Sequence, residues 1–522
     1  FDTVYENAKY ITVGNMHKRA QRFSDALTGK LTAKECLDKI GETRNKEFLL
    51  CYSLIPLDGD DDIRTRYETV QRFLLESKQF GAQRQASEKK SCEIALENIA
   101  RTAGYEDADR FVWYMESNEA HKIAPYFTPK NIDGIDVSLQ INDRFKVSVL
   151  AVKDGKELSA IPARLKSDKY IAEMKAEIPS LNRQSSRVVK SLESAMERES
   201  AFSIDELRRI AGNPVVREIL KTLFYVADKK IIGFDGGGFV SLDGKKETAE
   251  KAYIAHPLDF FNLKRWEAVQ KYLLENKIRQ PFKQAFREFY PKTADEIGAN
   301  KTNRYEGHQI DVQKAVAVAK NRGWHTGEDI GLQKVYYKEN LVAVLFGVWD
   351  FGYSSFDDHP TISSVYFLNR KADQTGALKI IPLKDIGDKI FSEVMRDIDL
   401  IVSTAHPLGY DFEESLSTTE VRRQICLTII DLLNLSNARI EGRHILIDGA
   451  YGEYAVNLNS GNAYKQLSGA LNIMTINDST QNKLFLNFID DNPKTAEVVS
   501  KMLLLADDKK IKDPNIIREI KE

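Results

Sequence analysis

The sequence has little cysteine and no cysteine pair of the kind that binds zinc. Its four cysteines are scattered, and none of them forms a Cys-x-x-Cys pair. A disulfide framework or a cysteine zinc site is therefore not expected. Scattered thiols suit a reducing compartment, so we predict a cytoplasmic protein.

The sequence also lacks an excess of charge of one sign and a long hydrophobic run. Lys and Arg number 75 and Asp and Glu number 77, which gives a net charge of -2 at pH 7. A dedicated nucleic-acid-binding protein usually has a basic excess, and membrane-surface binding lacks support for the same reason. No apolar run reaches the ~18–20 residues of a membrane-spanning helix, so no membrane partner is expected.

Recognised catalytic signatures are missing as well. The sequence contains no nucleophile elbow, no P-loop, no Gly-x-Gly-x-x-Gly and no His-Glu-x-x-His motif. These motifs therefore identify no cofactor. The glycine run 235–238 lies between two strand-like runs. Phosphate-binding loops lead into a helix, so a hairpin turn is the favoured interpretation of this run. His256 is either a base in a cleft or, as we favour, a hydrogen-bonded structural histidine.

What is present is enough chain for more than one globular domain. The protein has 522 residues, of which 42% are hydrophobic and 29% charged. Single cores stop growing at roughly 250–300 residues, so we expect two or three domains. The chain opens Phe1-Asp2-Thr3, without a methionine or a signal-like segment, and we interpret it as part of a longer protein.

Hydrophobic periodicity divides the chain into three regions. Residues 1–130 show apolar stripes at helical spacing, and residues 131–250 combine helices with small β-hairpins such as the one predicted at Asp154-Gly155. Residues 251–522 mix helices and short strands without regular βαβ alternation. The predicted fold class is α+β, a helical N-terminal array followed by a mixed helix and antiparallel-sheet domain.

The region 251–522 contains a segment rich in aromatic residues. Gln280-Pro281 predicts the start of a helix with Phe282, Phe286 and Phe289 on one face. Interleaved aromatic and basic residues can bind nucleic acid, but this spacing favours a core-facing stripe. Arg287 and Glu288 are then expected to be exposed and available to a partner.

One acidic group could carry chemistry. Glu393, Arg396 and Asp397 stand at i, i+3 and i+4 in a helix predicted at about 387–398, and therefore share one face. Asp399 is expected just beyond the helix end. Glu393, Arg396 and Asp397 are the candidate catalytic residues, because paired carboxylates can act as acid and base.

A second acidic pair suggests a metal site. Asp490 and Asp491 precede the last predicted helix, which carries Lys501, and together with Asp397 the two aspartates could bind a divalent cation for hydrolase or nuclease chemistry. The alternative is a helix-face ion network, to which Arg396 between two acids is suited. Asp397 within ~6–8 Å of Asp490 would favour the enzyme, and buried arginine–carboxylate pairs would favour the structural role.

The sequence also resembles a known family, the MolR-like proteins, whose domain is called domain of unknown function 4132. The resemblance extends over about residues 253–519. It rests on the order of seven runs, of which FSEVMRDIDL at 391–400 is the strongest. The others are 255–258, QPFKQAFRE at 280–288, 304–307, 331–340, 493–497 and 500–504. Asn457 departs from the family, which has histidine there, and 490–492 is less acidic than the family's run.

The resemblance implies a context rather than a reaction. Members are large bacterial proteins, some carry a nucleic-acid-linked WGR module, and some are encoded near MoxR-type ATPases and von Willebrand A-domain proteins. We therefore expect an interaction or scaffold subunit whose partner is such an ATPase or A-domain protein. Nucleic-acid binding is expected only through domains outside this chain. The alternative expectation is the metal-dependent hydrolase or nuclease.

Overall fold

A computed structural model describes residues 16–165, 167–326, 331–347, 361–371, 378–405, 416–465, 469–471, 493–511 and 514–521. The chain forms two compact units, one of residues 1–191 and 205–218 and the other of residues 192–204 and 219–522. The division into three regions at 130 and 250 stays a prediction.

From residue 16 onward, the described part of the N-terminal unit starts with six helices: α1 Met16–Leu27, α2 Ala33–Thr43, α3 Lys46–Leu54, α4 Gly59–Glu76, α5 Ala82–Thr102 and α6 Ala108–Ile123. Local signals start several of them. Thr32 forms a capping box with Glu35 at the start of α2, and the Asn45 side chain accepts from the Glu47 backbone at the start of α3. The apolar stripes pack into two core clusters, and Val70, Ile99 and Phe111 are fully buried in the larger one.

A small antiparallel sheet follows, with strands β1 Lys130–Ile132, β2 Ile135–Ile141, β3 Val147–Lys153 and β4 Lys156–Glu157 in that order. Asp154 and Gly155 have φ of 51° and 75° and join β3 to β4, which confirms the predicted hairpin. The long helix α7 Lys169–Glu197 comes next, and its residues from 192 onward belong to the second unit.

Two short helices, α8 Ile204–Ile210 and α9 Pro214–Leu220, return to the N-terminal unit. Asn213 begins α9, because its side-chain Oδ1 accepts from the Val215 backbone at 3.0 Å. Pro214 is the first residue of the helix, a position at which proline is well tolerated because its missing N–H has no partner to lose.

The C-terminal unit contains three antiparallel sheets. The first has the order β5-β10-β6-β7-β8-β9, and its strands are β5 Ala201–Ser203, β6 Tyr225–Ala227, β7 Lys230–Phe234, β8 Phe239–Val240, β9 Lys246–Glu247 and β10 Lys251–Ile254. The glycine run forms the turn between β7 and β8, where the Asp235 carboxylate accepts from the Gly237 and Gly238 backbones at 2.8 and 2.7 Å. The hairpin interpretation of this run is confirmed.

The second sheet has the order β11-β15-β14-β13-β12, with β16 also pairing with β15. Its strands are β11 Lys301–Thr302, β12 Trp324–Thr326, β13 Leu332–Tyr336, β14 Leu341–Gly347, β15 Ile362–Asn369 and β16 Ile380–Ile381. The helices before and among these strands are α10 Pro257–Asn262, α11 Trp266–Glu275, α12 Ala294–Ile297 and α13 Val312–Asn321. Helix α14 Asp388–Thr404 packs on α13 and shares a core with the sheet.

The third sheet runs in chain order through β17 Ala438–Glu441, β18 His444–Asp448, β19 Glu453–Asn457, β20 Ala463–Lys465 and β21 Gly469–Leu471. Helices α15 Leu416–Leu432, α16 Pro493–Ala506 and α17 Pro514–Lys521 accompany it. Ile425, Ile445 and Met502 are fully buried in one core between these elements. Helices in the N-terminal part and antiparallel sheets in the C-terminal part confirm the α+β class.

The helix predicted from Gln280 was wrong. Residues 276–293 have no helix, although Phe282 and Phe286 are buried as expected. Side chains replace the helical hydrogen bonds: the Gln280 side chain accepts from the Ala285 backbone, and the Trp266 indole and Gln270 amide donate to the Ala285 carbonyl. These side chains take the place of helical partners for the backbone N–H and C=O groups of Ala285. The segment can therefore be buried without forming a helix.

No helix among the described residues combines the length and the apolar character needed to cross a membrane.

Candidate functional site

Helix α14 carries the predicted acidic group into the interior of the C-terminal unit. Its apolar face, which includes Phe391, Val394 and Met395, is fully buried in the core beside the second sheet. Glu393 and Asp397 are both only 1% exposed. A carboxylate at that depth is tolerated only when it is paired, so its partners decide what the site can do.

Glu393 binds Arg287 through two parallel hydrogen bonds. Arg287 Nε donates to Glu393 Oε1 at 2.8 Å, and Arg287 Nη2 donates to Oε2. Burial alone would raise the pKa of Glu393, but the Arg287 charge and the hydrogen bonds it receives hold that pKa well below its ordinary value. Glu393 is therefore a permanently ionised group in a fixed geometry.

His256 supplies the third hydrogen bond to Glu393. Its Nδ1 accepts from the Leu258 backbone at 3.2 Å at the start of α10, which leaves Nε2 to donate to Glu393 Oε1 at 2.9 Å. Burial lowers the pKa of His256 even though Glu393 acts in the opposite direction, so the imidazole is neutral. The contacts fit the structural histidine that the sequence favoured.

Arg287 is the centre of the cluster. It is fully buried, and besides Glu393 it binds Glu193 and Glu197 on the last turns of α7, at 2.5 and 2.8 Å. The three carboxylates outweigh the effect of burial and raise the pKa of Arg287. We call Arg287 with Glu193, Glu197, Glu393 and His256 the Arg287 cluster.

Glu197 is the titratable member of the Arg287 cluster. Burial, followed by the negative charge of Glu393, raises the pKa of Glu197 to about 7, and Arg287 offsets only part of this. The Glu197 side chain is still 22% exposed. Glu197 is thus a partly exposed carboxyl group whose charge changes near neutral pH.

Arg396 faces a different partner from its neighbours on the helix. Its Nε donates to Glu288 at 3.2 Å, and Lys283 donates to the other Glu288 oxygen at 2.9 Å. Burial raises the pKa of Glu288, but Lys283 and Arg396 overcome this and lower it to about 2. Arg396 Nη1 is buried without a hydrogen-bond partner among the described residues.

Asp397 is enclosed by hydrogen-bond donors from strands β12 and β13 of the second sheet and from Arg322, which follows helix α13. Arg322, Trp324 Nε1 and Lys334 donate to its carboxylate at 3.1, 2.9 and 2.7 Å. Both carboxylate oxygens of Asp397 therefore accept hydrogen bonds, and two of the three donors, Arg322 and Lys334, are cations. Glu393, Arg396 and Asp397 thus share a helix but have separate partners, and their catalytic assignment stays a prediction.

Two expectations for this region were wrong. Asp399 lies inside α14, which continues to Thr404, and its carboxylate accepts from the Tyr305 hydroxyl at 3.2 Å. Arg287 and Glu288 are not exposed: they are 0% and 8% accessible. The reason is that Glu393 and Arg396 are buried and need counter-charges, which the irregular segment after Gln280 delivers.

The predicted metal site is only partly described. Asp490 and Asp491 lie outside the described residues, and Asp397 is bound by cations. Lys501 donates to Glu497 at 2.7 Å and to the Gly461 carbonyl at 2.8 Å. Within the part of the chain that the structure describes, no three His, Cys, Asp or Glu residues are grouped to hold a metal ion.

Sequence reasoning missed four pairings: those of Glu193 and Glu197 with Arg287, and those of Arg322 and Lys334 with Asp397. The paired residues stand 63 to 94 positions apart in the sequence. No local spacing reports such a pairing. The one available signal was indirect: two buried carboxylates on an otherwise apolar helix face require cations from elsewhere.

Comparison with known families gives three partial matches. A family of unknown function, DUF5724, matches residues 1–115; a domain of unknown function, DUF4132, matches residues 155–324; and a domain of unknown function, DUF7737, matches residues 419–520. The DUF4132 match includes Arg287 and Arg322. It overlaps residues 253–519, the basis of the sequence resemblance, only from 253 to 324, and the MolR-like assignment stays a prediction. Neither the curated proteins nor the solved structures include a significant match.

Proposed function

We propose that this chain is an interaction or scaffold subunit that works as a partner of an ATPase-type assembly. The observation that carries the proposal is the pairing of the α14 acids. Glu393 is held bidentately by Arg287, and Asp397 accepts from Arg322 and Lys334. Buried arginine–carboxylate pairing was the arrangement expected of a structural role.

The paired geometry leaves the α14 acids little chemical freedom. A general base must be able to accept a proton from a reacting group within hydrogen-bond distance. In Glu393 the two oxygens accept from Arg287 and His256, and in Asp397 they accept from Arg322, Trp324 and Lys334. These residues support a role in fixing the position of α14 rather than in turnover.

The nature of the partner is inferred from the family resemblance. Some MolR-like proteins are encoded near MoxR-type ATPases and von Willebrand A-domain proteins, and we extend this context to the present chain. The partner is therefore an ATPase or an A-domain protein, and the compartment is the cytoplasm.

The test is affinity purification of the tagged full-length protein from its host, with mass spectrometry of bound proteins. One half of each sample is treated with nuclease, and the host expressing the tag alone is the control. Stoichiometric recovery of an ATPase or A-domain protein that survives nuclease is the expected result. Recovery of no protein partner would contradict the proposal.

A second candidate, the metal-dependent hydrolase or nuclease, is supported by Glu197. This carboxyl group combines partial exposure with a pKa of about 7, which suits acid–base chemistry at neutral pH. Hydrolysis of single-stranded DNA or of a small phosphodiester by the purified chain with Mg²⁺ or Mn²⁺ would support the enzyme hypothesis. The activity must be lost in Glu197→Gln and retained in Glu199→Gln, a neighbour that is 52% exposed.

A further inference from the structure

A cavity of about 500 Å³ opens between three helices of the N-terminal unit. Its walls come from α4, α6 and α7, and Asn213 closes one side; we call it the three-helix groove. The volume lies within the roughly 300–1,000 Å³ of typical ligand sites. Leu74, Leu75, Ile123 and Leu181 give it apolar surface, and Leu75 is 57% exposed there.

Two buried polar groups in the groove lack a hydrogen-bond partner among the described residues. They are Glu116 Oε2 and Asn213 Nδ2. The rest of each side chain is engaged, because Glu116 pairs with Arg187 and Asn213 Oδ1 caps α9 through Val215. An unpaired buried donor or acceptor is unfavourable, so both groups favour an occupant that pairs with them.

The two groups have complementary requirements. Glu116 Oε2 accepts a hydrogen bond, and Asn213 Nδ2 donates one. A peptide backbone offers one N–H and one C=O, which are the two partners needed. Water could satisfy both groups, so the choice of occupant depends on the charges around the groove.

The charges on the rim of the groove are mainly positive. Arg72, Lys78 and Arg183 are exposed there, and none forms an ion pair with another described residue. Glu177 is the acid on the same rim, whereas Glu116 and Glu119 are already paired with Arg187 and Lys122. Three uncommitted cations against one such acid favour an anionic occupant.

We propose that the three-helix groove binds a short acidic peptide segment of a partner protein. The peptide backbone pairs with Glu116 and Asn213, an apolar side chain packs on Leu75 and Leu181, and acidic side chains approach Arg72, Lys78 and Arg183. The inference rests on the proposed interaction function in one respect, namely that a partner protein supplies the segment.

The experiment measures fluorescence anisotropy of labelled peptides with the purified full-length chain. The probe is a blocked peptide of repeated Glu-Leu-Asp-Gly, and its counterpart is Lys-Leu-Lys-Gly. The acidic probe should bind, and Arg72→Glu with Arg183→Glu should weaken it by about tenfold or more. The matched control is Lys34→Glu with Arg101→Glu, which makes the same charge change at exposed positions outside the groove and should leave affinity within about twofold.

A second variant tests the buried donor separately. Asn213→Ser keeps an oxygen that can cap α9 but removes the Nδ2 donor. The acidic probe should bind several-fold more weakly to this variant, while its circular dichroism spectrum stays that of the parent chain. Equal binding by Asn213→Ser and the parent would overturn the placement of the peptide backbone.

Three outcomes would overturn the proposal as a whole. They are no binding of the acidic probe, equal loss in the rim variant and its control, and preference for the lysine peptide. Binding of dodecanoate in place of the peptide, with the same dependence on Arg72 and Arg183, would assign the groove to a small amphiphilic anion instead.

The groove and the ATPase-type assembly can fail separately. A recovered ATPase partner with no peptide binding refutes the groove alone. Peptide binding with no ATPase or A-domain protein recovered refutes the assembly and leaves the groove in place.

Discussion

The Arg287 cluster of the C-terminal unit joins one arginine, three glutamates and a histidine through hydrogen bonds and ion pairs. In the three-helix groove of the N-terminal unit, by contrast, Arg72, Lys78 and Arg183 have no ion-pair partner among the described residues. The first arrangement is closed, because every charge in it is paired and the buried Arg287 and Glu393 depend on each other. The second leaves cations and two buried polar groups available. Charges that stabilise a fold and charges available for recognition can thus be told apart by their partners.

The largest expected effect comes from breaking the closed arrangement. Arg287→Met should destabilise the protein by about 3–5 kcal/mol, because it leaves Glu193, Glu197 and Glu393 without their shared cation. Urea denaturation followed by circular dichroism measures the change. Arg265→Met is the control, since Arg265 is exposed and lies outside the cluster. A loss below about 1 kcal/mol would show that the cluster does not hold the unit together.

Asp397→Asn should have the second-largest effect, about 1.5–3 kcal/mol, which is the range for a buried hydrogen bond to a charged group. The amide keeps one acceptor but removes the counter-charge of Arg322 and Lys334. Asp388→Asn, at the 75% exposed first residue of the same helix, should change the melting temperature little.

The outcome of Asp397→Asn also separates structure from catalysis. A lowered melting temperature supports the structural role. Loss of a hydrolytic activity at unchanged stability would favour a catalytic role for Asp397. An unchanged melting temperature with unchanged behaviour would remove Asp397 from both roles.

Glu197 makes the stability of the Arg287 cluster depend on pH. Its pKa rises from the ordinary 4.5 to about 7 in the folded chain, so the folded state binds more protons than the unfolded state between these values. Its contribution to stability is therefore complete below pH 4.5 and is lost as pH rises through 7. Glu288 acts in the opposite sense, and its contribution is lost as pH falls from 4.5 toward 2.

The expected result is a fall in unfolding free energy on the order of 1–2 kcal/mol between pH 5 and pH 8, which Glu197→Gln should remove. Urea denaturation of both proteins across this pH range measures it. Glu199→Gln, which exchanges a half-exposed neighbour, should keep the pH dependence of the parent chain. An identical profile for Glu197→Gln and the parent would assign the dependence to another group.

The sequence predicted those elements that are specified by neighbouring residues. Asp154-Gly155 and the glycine run 235–238 each turn the chain through their own backbone angles or side chains, and both lie where they were expected. Residues 280–289 were assigned wrongly, because the groups that bind their backbone come from Trp266 and Gln270. The acids of α14 were found by spacing, but Arg287 was placed at the surface, since its partners are distant in sequence.

The smallest expected effect is on the stability of the open arrangement. Arg72→Glu with Arg183→Glu should change the unfolding free energy by no more than about 0.5 kcal/mol per substitution, since neither cation is paired with a described residue. Arg187→Ala on the same groove is the comparison, and it should cost more because it leaves buried Glu116 without its cation. Urea denaturation monitored by circular dichroism applies to both. If the rim variant lost as much stability as Arg187→Ala, Arg72 and Arg183 would be structural residues, and the contrast between a closed cluster and an open groove would not hold.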